Sequence, residues 1–96
     1  MKRIPRHFRL LNHRITVRIL SRREWPAQYS DAVGVWDNSR NEILLLRQPR
    51  TQLRHCFWHE VTHAVLDMMG SKLSTNEPFV DSFGGFLAQI TDTTEF

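Results

Sequence analysis

The segment from Pro49 to Gly70 constrains this chain most, because it reads as one long amphipathic helix. Pro49 suits a first helical turn, where a missing N–H costs nothing, and Thr51 is an alternative cap. Gly70 suits the position just past the end, where the backbone turns left-handed. Between them Phe57, Val61, Ala64, Val65 and Met68 cluster opposite His59. His59 and His63, spaced i,i+4, lie about 40° apart on the other face. The helix therefore has an apolar back to bury and a polar front to use. A chain of 96 residues makes one modest core and buries about 60–65% of its unfolded surface, so this helix must form one wall of that core.

The other wall is strand-like. From His13 to Leu20, Ile15, Val17 and Ile19 alternate with Arg14, Thr16 and Arg18, the period-2 pattern of a half-buried strand. Residues 21–31, with Pro26, form a connector with a short helical turn. A second strand, about Ala32 to Trp36, leads through Asp37-Asn38-Ser39-Arg40-Asn41 into a third, Glu42 to Leu46, and reads as a β-hairpin. After the long helix, Asn76 is a suitable N-cap with Pro78 in the first turn. A second helix then runs to about Ile90 and offers Phe79, Val80, Phe83, Phe86, Leu87 and Ile90 to the core. Gly84-Gly85 in its middle costs roughly 1 kcal/mol per glycine, which implies close packing against another element. Residues 1–12 read as an irregular, basic N-terminal arm. The expected fold is α+β: a single domain over 1–96, with a small antiparallel or mixed three-stranded sheet packed on two helices.

Composition narrows the class. With 41% hydrophobic and 24% charged residues the chain is globular, not disordered. Its one cysteine, Cys56, excludes an internal disulfide, and small folds lacking that staple often use a metal instead. There is no secretory leader pattern and no run near the roughly 20 apolar residues that cross a bilayer, so the expectation is a cytoplasmic protein with no membrane partner. Residues 1–54 carry twelve Lys/Arg against four Asp/Glu, and residues 55–96 one against six. The basic half reads either as a solvated strand face with a basic tail or as a surface for nucleic acid or an acidic partner protein.

The chemistry concentrates in His59-Glu60-Val61-Thr62-His63. Two histidines four apart on one helical face can share a metal ion, and the glutamate after the first sits where a carboxylate takes a proton from water. A catalytic zinc normally has three protein ligands and an open position. No histidine follows His63, so a downstream third ligand must be a carboxylate: Asp67, Glu77, Asp81, Asp92 or Glu95. Asp67 is a turn too far along the same rod, and Asp92 and Glu95 fall in an expected frayed C-terminus. Glu77 opens the second helix, and Asp81, one turn on, can accept the other N–H of a ligating histidine. His55 extends the histidine row, but its Cα is about 12 Å from that of His63 along the axis, so it reads as a surface or pocket-edge residue. Cys56 reads as a buried small hydrophobe. Nothing in the sequence positions Tyr29, the one tyrosine, for a role in the chemistry.

On these residues the chain resembles the zincin metallopeptidases with a glutamate third ligand, and most of all the small ImmA/IrrE-type peptidases of phages, other mobile elements and bacteria. Gly34-Val35-Trp36-Asp37 to Glu42-Ile43-Leu44-Leu45 resembles the hairpin before their active helix, and Glu77-Pro78-Phe79-Val80-Asp81-Ser82-Phe83 resembles their second motif. The resemblance covers roughly residues 13–90. It implies Zn²⁺ on His59, His63 and Glu77, Glu60 as general base, and Asp81 behind a ligating histidine. It also implies a protein or peptide substrate taken by β-addition near Glu42–Leu46, and a DNA-associated regulator as substrate. Val61-Thr62 stands where the family often has Leu-Gly, the helix that usually precedes the sheet is missing, and little follows the second helix. SprT-type proteases share the helical motif but take a third histidine that this chain lacks. The alternative reading is a non-catalytic zinc-containing regulatory or nucleic-acid-binding protein on the same scaffold. A deformylase is disfavoured, because its upstream cysteine ligand is absent.

Overall fold

The alternation from His13 to Leu20 does form a strand, and the sheet grows on both sides of it. The computed structural model describes residues 3–96. In chain order it contains β1 (His7–Leu10), β2 (His13–Leu20), a 3₁₀ turn (Ala27–Tyr29), β3 (Gly34–Asp37) and β4 (Glu42–Leu46). Then come α1 (Arg50–Met68), a second 3₁₀ turn (Lys72–Thr75) and α2 (Glu77–Thr93). The strand order is β1-β2-β4-β3. β2 and β4 are parallel, and the β1–β2 and β3–β4 pairs are antiparallel. The class is α+β, but the sheet has four strands where three were expected.

The additional strand comes from the basic arm. Residues 1–12 are not irregular throughout: β1 pairs with β2 from His7↔Thr16 to Leu10↔His13. Leu11 and Asn12 both adopt positive φ, +48° and +67°, the two-residue turn whose twist matches a hairpin. Leu-Asn is a weak signal for that turn, because leucine rarely adopts this conformation. Met1 and Lys2 lie outside the described residues.

One face of the sheet packs on α1. Ile15, Val17, Ile43 and Leu45 meet Leu53, Cys56, Phe57 and Val61 in the main core. On the other face Leu20, Leu44 and Leu46 are covered by Trp25 of the connector, whose indole donates to the Tyr29 carbonyl at 2.8 Å. All five residues of β4 are buried, as expected for a strand paired on both sides and covered on both faces.

The helix boundaries follow their local signals. Gly70 has φ +69°; its N–H bonds to Asp67 O, and that of Ser71 to Leu66 O, both at 2.9 Å, which is a Schellman ending. The Asn76 side chain accepts from the Phe79 N–H at 3.0 Å and starts α2. Three expectations for α2 fail. It continues past Ile90 to Thr93, and Asp92 is not frayed, because Arg54 of α1 pairs with it at 2.8 Å. Nor does its apolar face fill the core: Val80 is fully buried, but Phe83, Phe86 and Ile90 are largely exposed. The reason is that α2 presents its small residues to α1. No helix among the described residues is long and apolar enough to cross a membrane.

Gly84 is the closest point of that approach. A Cβ there would lie 2.9 Å from His59 Cα, 3.0 Å from His59 N and 3.1 Å from Trp58 C, all backbone atoms that cannot swing aside. At Gly85 a Cβ would meet only the His55 imidazole, at 3.1 Å. Alanine is favoured over glycine within a helix by about 1 kcal/mol, whereas overpacking typically costs about 1–3 kcal/mol. Gly84→Ala is expected to lower the melting temperature, and Gly85→Ala to leave it unchanged or raise it. Thermal unfolding of the two variants by circular dichroism checks this.

Candidate metal centre

The histidine row of α1 faces a carboxylate row on α2. Glu77 lies between His63 and His59: its Oε1 is 3.1 Å from His63 Nε2 and its Oε2 is 3.1 Å from His59 Nε2. Asp81 lies between His59 and His55, and one oxygen, Oδ1, is 3.2 Å from both His59 Nδ1 and His55 Nε2. His63 Nδ1 is 2.6 Å from the Ser74 carbonyl. His55, His59, Glu60, His63, Glu77 and Asp81 line one cavity of ≈ 590 Å³ whose other side is formed by residues 31–34.

The proton positions decide what the site can hold. Ser74 O can only accept, so His63 Nδ1 carries a proton. Asp81 accepts from both of its histidines, and the bond from His55 leads in holding its carboxyl below the usual range. His59 Nδ1 is therefore also a donor. In neutral imidazoles with this tautomer, both Nε2 atoms present lone pairs toward Glu77, whose oxygens also present lone pairs. Facing lone pairs at 3.1 Å call for a cation between them, either a proton or a metal ion. Ligands 2.0–2.1 Å from a tetrahedral zinc lie about 3.3 Å from one another, close to the spacing found here. The donor set fits a metal.

Glu60 is the other carboxylate. One donor atom from each of His59, Glu60 and His63 falls within 4.8 Å of the others, and this group can hold a metal ion. Its surroundings differ from those of Glu77. Glu60 is buried, and burial first, then the nearby charge of Glu77, pushes its carboxyl up to about 8, opposed by the Trp36 backbone N–H. Glu77 is exposed and touches both Nε2 atoms directly.

The remaining residues singled out in the sequence take clear positions. His55 is half-exposed at the cavity rim, held by Asp81 and not directed at the His59–His63 pair. Cys56 is buried, bonds to Val33 O at 3.4 Å, and burial pushes its thiol up to about 12, which leaves it inert. Asp67 accepts from Trp36 Nε1 at 2.9 Å and ties the β3–β4 hairpin to α1. Tyr29 packs against the Leu20–Trp25 cluster, outside the cavity lining.

Two contributors escaped sequence reasoning. The Ser74 carbonyl is backbone and leaves no side-chain signal. Gly34 lets β3 lie against α1: a Cβ there would meet Cys56 Sγ at 2.5 Å and Glu60 Oε2 at 3.0 Å. A glycine inside a strand does signal close approach, so it was legible in principle. The expected docking edge at Glu42–Leu46 is wrong, because β4 is paired on both sides. The edge strand beside the cavity is β3.

No family model, curated protein or solved structure matches this chain.

The Glu60 environment has a measurable consequence for the metal-free protein. In the fold its carboxyl keeps a proton up to about pH 8, while an ordinary glutamate loses it near 4.5. The folded state thus binds more protons across that window, and stability present below pH 4.5 declines as pH rises toward 8. Melting temperatures in chelator are expected to fall over this range more steeply for wild type than for Glu60→Gln. Parallel pH profiles for the two proteins check this.

Proposed function

We propose that this chain is a minimal zinc metallopeptidase of the zincin type, with zinc on His59, His63 and Glu77 and with Glu60 as general base. The observation that carries the reading is the Glu77 carboxylate 3.1 Å from both Nε2 atoms, while both Nδ1 atoms are occupied by Asp81 and Ser74 O. Outer-atom bonds of this kind fix the tautomer and ring direction that metal binding needs. The match of His59-Glu60-Val61-Thr62-His63 and Glu77-x-x-x-Asp81 to the ImmA/IrrE-type pattern supports the same reading.

When bound, zinc supplies a Lewis acid that polarises a peptide carbonyl and acidifies water. The chain's own residues do the rest. Glu60 is buried beside the pair and raised to about 8 by that burial; a cation held by His59 and His63 would favour its ionised form, which takes a proton from the attacking water and hands it to the leaving amine. Asp81 holds the His59 ring, and Ser74 O holds that of His63. An extended peptide pairs with β3, whose outer edge runs beside the cavity. His55 lines the rim of the same cavity.

Glu60→Gln is expected to retain zinc at the wild-type stoichiometry and to lose peptide hydrolysis by about 10²–10⁴-fold. Elemental analysis, and mass-spectrometric scoring of new termini in a peptide library, check this. Retained hydrolysis in that variant would sink the mechanism.

A further inference from the structure

A second groove, of ≈ 690 Å³, lies along β1 and β2, away from the metal centre. Arg6, His7, Arg14, Thr16 and Arg18 line it, and none of its lining residues is acidic. All five are exposed. Arg9 stands directly across from Arg14 in the β1–β2 register, and like charges in facing positions disfavour the strand pair. Among the described residues Arg6, Arg9 and Arg14 form no ion pair. Arg18 has a loose one, 3.7 Å from Glu42, with half of its own side chain exposed. Glu24 also faces Arg18, so it is Arg6, Arg9 and Arg14 that the chain's own carboxylates leave unpaired among the described residues, and the groove keeps a net positive charge.

We propose that this groove binds the phosphate backbone of duplex DNA. Arg14 and Arg18, four residues apart on one strand, are separated by about 13 Å, about the rise of four nucleotides along a DNA strand. Repeated guanidinium and hydroxyl donors at such intervals suit backbone contacts. A protein interface of comparable extent would centre on aromatic or methionine anchors, and the groove has none. A single strand would stack its bases on aromatic rings, and no Phe, Tyr or Trp lines the groove. The sheet order places β1 and β3 at opposite edges, so DNA on the groove leaves the cavity beside β3 open. This site stands independently of the peptidase reading.

Fluorescence anisotropy with a labelled duplex of about two helical turns tests the proposal on the whole chain. Arg14→Glu and Arg18→Glu are each expected to weaken binding at least about tenfold and to reduce the salt slope by about one for each phosphate no longer engaged. Lys72→Glu changes the net charge equally, but lies on the connector between the helices, and is expected to stay within about twofold of wild type. Arg14→Glu replaces a repulsive cross-strand pair with an attractive one, so its melting curve should show an intact fold. An equal loss in Lys72→Glu would overturn the proposal. So would tighter binding to single-stranded DNA or to duplex RNA, competition by polyglutamate as effective as by unlabelled duplex, or no binding at low salt.

Discussion

Everything at the candidate metal centre depends on how closely α2 can lie against α1. Gly84 sets that distance, because its missing side chain lets α2 rest on the His59 backbone. With the helices this close, two rows interleave: His63, His59 and His55 along α1, and Glu77, Asp81 and Gly85 along α2. Each carboxylate falls between two imidazoles. The Schellman turn at Gly70 and the Asn76 cap reverse the chain at the point that makes this register.

The same packing gives the two glutamates different surroundings. Glu77 is on the exposed first turn of α2 and keeps the water-facing environment of an ordinary carboxylate. Glu60 is enclosed between α1 and β3, where Gly34 allows the strand to close over it. Burial then raises the Glu60 carboxyl.

Much of this was legible in the sequence, for identifiable reasons. Strong local signals gave β2 by its period-2 alternation, the ends of α1 at Pro49 and Gly70, the Asn76 cap, and the close packing implied by Gly84-Gly85. The i,i+4 spacing brought His59 and His63 together, and Glu77 and Asp81 landed opposite them. What was missed depended on tertiary context. β1 needed an unusual Leu11-Asn12 turn, and β4 lost its expected edge because β2 and β3 flank it. The aromatic residues of α2 were assigned to the core by their hydrophobicity, yet a helix seated on glycine and alanine turns Phe83 and Phe86 outward.

The central claim is a metal held by two imidazoles and a carboxylate, and X-ray absorption on the zinc-loaded protein reads that ligand set directly. The expected spectrum shows two imidazole shells and light oxygen or nitrogen scatterers at about 2.0–2.1 Å, with no sulfur. In Glu77→Ala the zinc content by elemental analysis should fall below the wild-type stoichiometry. A sulfur shell at about 2.3 Å, fewer than two imidazoles, or wild-type zinc retention in Glu77→Ala would contradict the account.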